Sequence, residues 1–317
     1  MIKRSALRVR KRSALCAAAG PALLAIAVTA CAAGCAAIAA DTGATKPVGS
    51  GRTGPGSRAH APAPAAVTVR HFVLPDGHRM TSARFGGAVR FVLHCGSLDP
   101  GPPCQGQAAG PALSPAERRL VIGAFNGGFK LSAHVGGYEQ AGAVISPLVP
   151  GRASLVIYRS GAASIGIWGH GVPQPGKPVY SVRQNLVLLV RAGRPTPAAG
   201  RGWGSWGGTI TGAAGTARSA LGENVRGQLI YVASMSATPG DLAAALVRAG
   251  AATGMELDIN AEWVQLAYAR RAGGPLRKGI TGQVRPASQY VRGWTRDFIA
   301  VLAQWPPSPA PGVRAVP

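Results

Sequence analysis

Acidic side chains are scarce in this chain of 317 residues: 11 Asp and Glu stand against 34 Lys and Arg, for a formal net charge of +23. An imbalance of this kind points to a polyanionic neighbour, whether nucleic acid, anionic lipid or a phosphate-rich polymer. Nucleic acid is the poorest fit. Aromatics are only 6% of the chain, no stretch interleaves them with basic residues, and beyond the N-terminus the cations are scattered single arginines. Several catalytic signatures are also missing. There is no Gly-x-Ser-x-Gly, no His-Glu-x-x-His, no phosphate-binding Gly-Lys-Ser/Thr loop and no dinucleotide fingerprint. The six histidines are dispersed, and the five cysteines have no zinc-site spacing. That leaves carboxylates, amides and arginines to carry any chemistry.

The N-terminus has its own character. Residues 1–12 carry Lys3, Arg4, Arg8, Arg10, Lys11 and Arg12, and residues 13–40 then have no charge. A basic segment before an apolar one predicts export, with the N-terminus on the cytoplasmic side. Three outcomes remain open: a membrane span, cleavage near residues 38–40, or lipidation of Cys31 in Val28-Thr29-Ala30-Cys31, which has the look of a lipobox. Each places the body outside the cytoplasm, and a membrane anchor is the expected form. Residues 41–66 are rich in Gly, Pro, Ala, Ser and Thr and read as a flexible linker, while 305–317 read as a proline-rich tail. The folded domain is expected over 67–304, where 24 Lys and Arg face 10 Asp and Glu.

Within that span, short apolar runs separated by turn residues predict strands. Residues 154–158 and 164–168 form one expected hairpin, and residues near 221 and 229–232 another. Asn185–Val190 reads as a buried strand. Cys95 and Cys104 flank a Gly/Pro-rich loop that a disulfide would close in an exported protein, the alternative being two free thiols. Thr238-Pro239-Gly240-Asp241 has the marks of a helix start, and Gly250 those of a stop. Strand, helix and strand from Leu229 to Ile259 predict a βαβ unit with parallel strands. The fold expected is α+β: a mixed β-sheet core with hairpins, a C-terminal βαβ unit and flanking helices.

The last strand of that unit holds the most unusual stretch, Gly254-Met255-Glu256-Leu257-Asp258-Ile259-Asn260-Ala261-Glu262-Trp263, with three of the 11 acids in seven positions. Alternation puts Glu256, Asp258 and Asn260 on one face, with carboxylates about 7 Å apart. Such a pair suits glycosyl transfer, with one acid and one nucleophile or base. It equally suits a buried ion-pair network with arginines, or a divalent cation. Asn126-Gly127-Gly128 follows a buried strand and offers backbone N–H groups and an amide to a ligand. Arg218, in Arg218-Ser219-Ala220-Leu221-Gly222, suits a phosphate.

Together these segments resemble the phosphodiester glycosidase family, the domain of the mannose-6-phosphate uncovering enzyme and of bacterial exopolysaccharide-associated proteins. The matching parts are Asn126-Gly127-Gly128-Phe129-Lys130, Arg218–Gly222, a strand, the helix start at Thr238–Ala243, and Glu256-Leu257-Asp258-Ile259-Asn260. Gly127–Tyr138, Ser154–Tyr158 and Met255–Trp263 look especially like an actinobacterial branch. The departure is local: the family's Gly-Gly after the Asp is Ile259-Asn260 here, and its preceding Asn is Glu256. The resemblance implies hydrolysis of a sugar 1-phosphodiester in envelope glycan. Asp258 would be catalytic, Glu256 its acid/base partner, Arg218 a phosphate clamp, and Asn126, Gly127, Gly128 and Asn260 substrate contacts. No cofactor is implied, though a divalent cation is compatible. A non-catalytic binder of anionic wall polysaccharide on the same fold is the alternative.

Overall fold

The computed structural model describes residues 66–101, 104 and 109–303. Among these residues no helix is long and apolar enough to cross a membrane. The expected anchor, Cys31, the linker and the proline-rich tail lie outside them.

Three sheets make up the body. The largest has seven strands in the order β1 (Val67–Val73), β2 (Arg79–Phe85), β14 (Leu229–Ala237), β13 (Thr216–Glu223), β15 (Thr253–Ile259), β11 (Leu188–Arg191) and β12 (Arg194–Pro195). A second runs β6 (Ala143–Ser146), β5 (Tyr138–Gln140), β10 (Val179–Gln184), β7 (Ala153–Tyr158), β8 (Ala163–Trp168) and β9 (Gly171–Val172). The third runs β17 (Arg277–Lys278), β16 (Leu266–Tyr268), β4 (Val121–Asn126), β18 (Phe298–Leu302) and β3 (Arg90–His94). Among the described residues three α-helices accompany them: α1 (Pro115–Arg118), α2 (Pro239–Arg248) and α3 (Gln289–Arg292).

The α+β expectation is therefore corrected to an essentially β protein, because α2 is the one helical run longer than four residues among the described residues. The βαβ expectation is corrected as well. β14 and β15 run in the same direction, but β13 lies between them and pairs antiparallel with both. The crossover through α2 thus skips a strand, and among the described residues the one parallel strand pair is β8 with β9. The strand expected at Asn185–Val190 is a junction instead. β10 ends at Gln184, Leu186 takes a left-handed φ of 53°, and β11 begins at Leu188. Both expected hairpins form, as β7–β8 and β13–β14.

The start of α2 follows from its sequence. Thr238 and Asp241 make a reciprocal capping box with Pro239 at the first turn, and Leu242, Ala245 and Leu246 are buried. These residues pack with Ile230, Val232 and Val190 on one face of the large sheet. The other face supplies Leu221, Tyr231, Met255 and Leu257 to a core shared with Phe125 and Ile299 of the third sheet. Cys95 and Cys104 are joined by a disulfide.

Candidate functional site

The ends of β4 and β15 and the start of β18 meet at one place, and the ladder beside it is irregular. Arg218 pairs with Ile259 and Ala220 with Glu256, so Leu257 and Asp258 together stand opposite the single residue Ser219. This is a β-bulge, and a bulge re-aims the side chains that follow it. Glu256 turns to the α2 side, where its Oε1 accepts from Arg218 Nη1 at 2.7 Å with both side chains fully buried. Asp258 turns to the third sheet, where its Oδ2 lies 2.8 Å from Arg296 Nη2. The expected shared face for Glu256 and Asp258 is thus undone by one extra residue. The two carboxylates do not converge on a common ligand, so the same bulge leaves no cation site between them.

Asp258 opens onto a cleft of about 500 Å³. Its other walls include Lys130, Asn260, Trp263, Arg296 and the glycine-rich loop at Gly207-Gly208. Arg296 lies 5.0 Å and Lys130 5.8 Å from the Trp263 ring centroid. Arg296 also faces Asp99 at 3.2 Å and donates to Gly128 O at 3.1 Å, which fixes its position beside Asp258. Asn260 begins the turn out of β15, at φ 72°, a conformation that Gly or Asn accepts and most residues resist. Its side chain accepts from Ile210 N at 3.1 Å, tying the loop over the cleft to the strand. Asn260 therefore holds a backbone shape that a glycine would also allow.

Arg218 and Glu256 are sealed behind the cleft. Arg218 Nη1 also donates to Trp206 O at 2.9 Å, and neither residue lines the opening. Asn126 is 2% exposed and fully engaged: its Nδ2 donates to Ser219 Oγ and Gly127 O, and its Oδ1 accepts from Tyr231 and Gln265 N. Gly127 and Gly128 serve packing. A Cβ on Gly127 would collide with the Asp297 carboxylate, and one on Gly128 would lie 2.9 Å from Arg183 Cζ. Of the expected site residues, Asp258 and Asn260 reach the cleft, while Glu256, Arg218, Asn126, Gly127 and Gly128 support it from behind. Sequence reasoning missed Arg296, Lys130 and Trp263. Lys130 and Trp263 close stretches already singled out, Asn126–Lys130 and Gly254–Trp263, but were given no role there, whereas Arg296 had no signal.

No protein-family model matches the chain. No curated protein matches it either. Among solved structures, the catalytic domain of zebrafish N-acetylglucosamine-1-phosphodiester alpha-N-acetylglucosaminidase, auto-inhibited by its pro-peptide, is similar at 14% identity. The TM-score is 0.48 over 78% of this chain and 86% of that one. A hypothetical protein from Synechocystis is similar at 14% identity with a TM-score of 0.45, over 74% of this chain and 62% of that one. Likeness at this level concerns the path of the chain and assigns no residue a role.

The site's electrostatics follow from burial. Removal from water pushes the Asp258 carboxyl up to about 7, against the pull of Arg296 and the Ile259 N–H. Burial pushes Glu256 up to about 8, against Arg218. Both groups hold protons more tightly when folded than when unfolded, so stability falls as pH rises from the ordinary carboxylate range toward 8. Glu117 and Asp241 are shifted the other way, and their contribution is lost only in more acidic solution. The melting temperature is expected to be higher at pH 5 than at pH 8, and Glu256→Gln to flatten that slope. A thermal melt series that is level or rising over this interval would contradict the assignment.

Among the described residues one other group brings three metal-ligating side chains together: Asp76, His78 and Asp241, with ligand atoms within 4.8 Å of one another. Asp241 Oδ2 there accepts from His78 Nδ1, Thr238 N and Thr238 Oγ1 while capping α2. The group is distinct from the cleft, and its hydrogen bonds already account for its geometry.

Proposed function

We propose that the protein is a hydrolase acting outside the cytoplasm on an anionic glycan of the cell envelope, cleaving the bond between a sugar's anomeric carbon and a phosphodiester. The observation that carries this reading is the cleft's asymmetry: one carboxylate with a raised pKa, Asp258, among the cations Arg296 and Lys130 and the indole of Trp263. Guanidinium and ammonium groups suit the phosphate, and an aromatic wall suits the carbon face of a sugar. Ionised Asp258 takes a proton from a water molecule as its oxygen bonds to the anomeric carbon. The bond between the anomeric carbon and the bridging oxygen breaks, and its electron pair leaves on that oxygen, which stays bonded to phosphorus. The departing monoester has a second pKa of about 6, so it needs no acid to protonate it. One carboxylate therefore suffices, and Glu256 can remain sealed.

Direct attack by water inverts the anomeric configuration. The test is incubation of the full-length protein with simple 1-phosphodiesters of several sugars, following the first-formed anomer by NMR and the rate against pH. The expected outcome is the inverted sugar, with kcat/KM rising through an apparent pKa near 7. Retained configuration would overturn the single-carboxylate scheme. A second reading is supported by the hold on Asp258 from both sides, by Arg296 and by the Ile259 N–H at 2.9 Å. So fixed a group suits a binder of anionic polysaccharide, and binding of the diesters without sugar release would favour it.

A further inference from the structure

A second cavity, of about 390 Å³, lies at the β1 edge of the large sheet. It shares no lining residue with the Asp258 cleft. Three strands, β2, β14 and β13, separate β1 from β15, which puts the two about 19 Å apart at the usual strand spacing. The fold creates this groove because α2 packs mainly on β11 to β15 and ends before the face of β1 and β2 is covered. Thr68 stands opposite Arg84, Arg70 opposite Ser82, and Arg84 opposite Ile230, so all five side chains point to one face, where Ile230 is buried under α2 and Thr68, Arg70 and Arg84 are exposed.

The groove is cationic without a counter-charge, since its nine lining residues include Arg70, Arg84 and Arg248 and no acid. Arg84 Nη2 donates to Ala249 O at 2.7 Å, and Arg248 Nη1 to Val73 O at 3.0 Å, which anchors two guanidiniums across the opening. Arg248 also lies over the Phe72 ring, 4.9 Å from its centroid. Arg70 has no hydrogen bond or ion pair among the described residues, so its whole fork is open. Arg70 and Arg84 are diagonal neighbours on adjacent strands, within about 8 Å, an arrangement that repels unless an anion lies between them. His71, also on the lining, adds no negative charge.

We infer that this groove binds a phosphodiester-linked polymer, with successive phosphates meeting the three guanidiniums. Guanidinium forks match phosphate oxygens two at a time, and the Thr68 and Ser82 hydroxyls supply neutral donors between them. The floor is recessed beside the end of α2, which suits a threaded chain rather than a flat lipid surface. The site does not rest on the hydrolase reading of the cleft and would serve a binder equally.

The test compares full-length wild type, Arg70→Glu and Arg226→Glu, the last an equal charge change at an exposed turn elsewhere. The probes are a synthetic hexamer of glycerol phosphate and vesicles of phosphatidylglycerol, which present the same chemistry as polymer and as lipid. Arg70→Glu is expected to weaken hexamer binding about tenfold, as loss of a charged contact does, while Arg226→Glu does not. Circular dichroism and melting confirm that both variants fold, and Arg70→Ser repeats the measurement should Arg70→Glu fail that check. Equal losses for both sites would reduce the groove to bulk charge and overturn the proposal. So would no loss at Arg70, or an Arg70 effect confined to vesicles. Sugar release from a small diester reports on the cleft alone, so failure of the groove and failure of the hydrolase reading are separable.

Discussion

Asp258→Asn is expected to lower sugar release by about 10²- to 10⁴-fold, the usual cost of removing a general base. KM should change little, because the amide keeps the shape of the cleft and Arg296 and Lys130 still meet the phosphate. Arg296 retains Asp99 as a charge partner in the variant, so the site should not collapse. Glu256→Gln provides the contrast. Glu256 is sealed behind the cleft with Arg218, and its neutral variant should stay within a few-fold of wild type. If Asp258→Asn keeps most of its rate, or if Glu256→Gln loses as much as Asp258→Asn, the assignment of the base is wrong. The two variants together separate a chemical role from a merely structural one.

The second large effect concerns stability. Arg183 and Asp297 form a buried ion pair at 2.7 Å, each about 1% exposed. Arg183 also donates to Gln184 O and Phe129 O, and Asp297 Oδ2 accepts from Gly128 N. This pair fastens β10 of the second sheet to the end of β4 and the start of β18, directly beneath the cleft. Asp297→Ala would leave a guanidinium buried without its anion, at a cost of about 3–5 kcal/mol. For a domain of this size that corresponds to a fall in melting temperature of about 6–20 °C. A shift of only a degree or two would mean that water or a neighbour takes over the charge.

The legible parts of this structure were those set by local pattern. The capping box and buried face of α2 were readable because both depend on spacings within one turn. The hairpins at β7–β8 and β13–β14 were readable because alternation and turn residues sit side by side. Strand order was not readable, since nothing near α2 in sequence says that β13 will lie between β14 and β15. Asp258 stood out through the scarcity of acids, but its orientation did not, because a bulge is a property of the pairing and not of the strand alone. Arg296 was invisible for a related reason: it is an arginine among many until β18 carries it beside Asp258. Asn126, Gly127 and Gly128 stood out in the sequence as ligand contacts, yet Gly127 and Gly128 answer the close approach of Asp297 and Arg183, and Asn126 is held by Ser219, Tyr231 and Gln265.

The bulge at Leu257 and Asp258 makes the identity of the cleft's acid a matter of counting. Two residues of β15 occupy the place of one, and that surplus alone separates a carboxylate facing Arg296 from one facing Arg218. Substitutions along this strand can change its chemistry while preserving its phase. Removing Leu257 would absorb the surplus and leave Glu256 and Asp258 on opposite sides, whereas a regular ladder that kept every residue would bring both carboxylates to one side. In this segment the pairing, more than the composition, decides which acid the cleft receives.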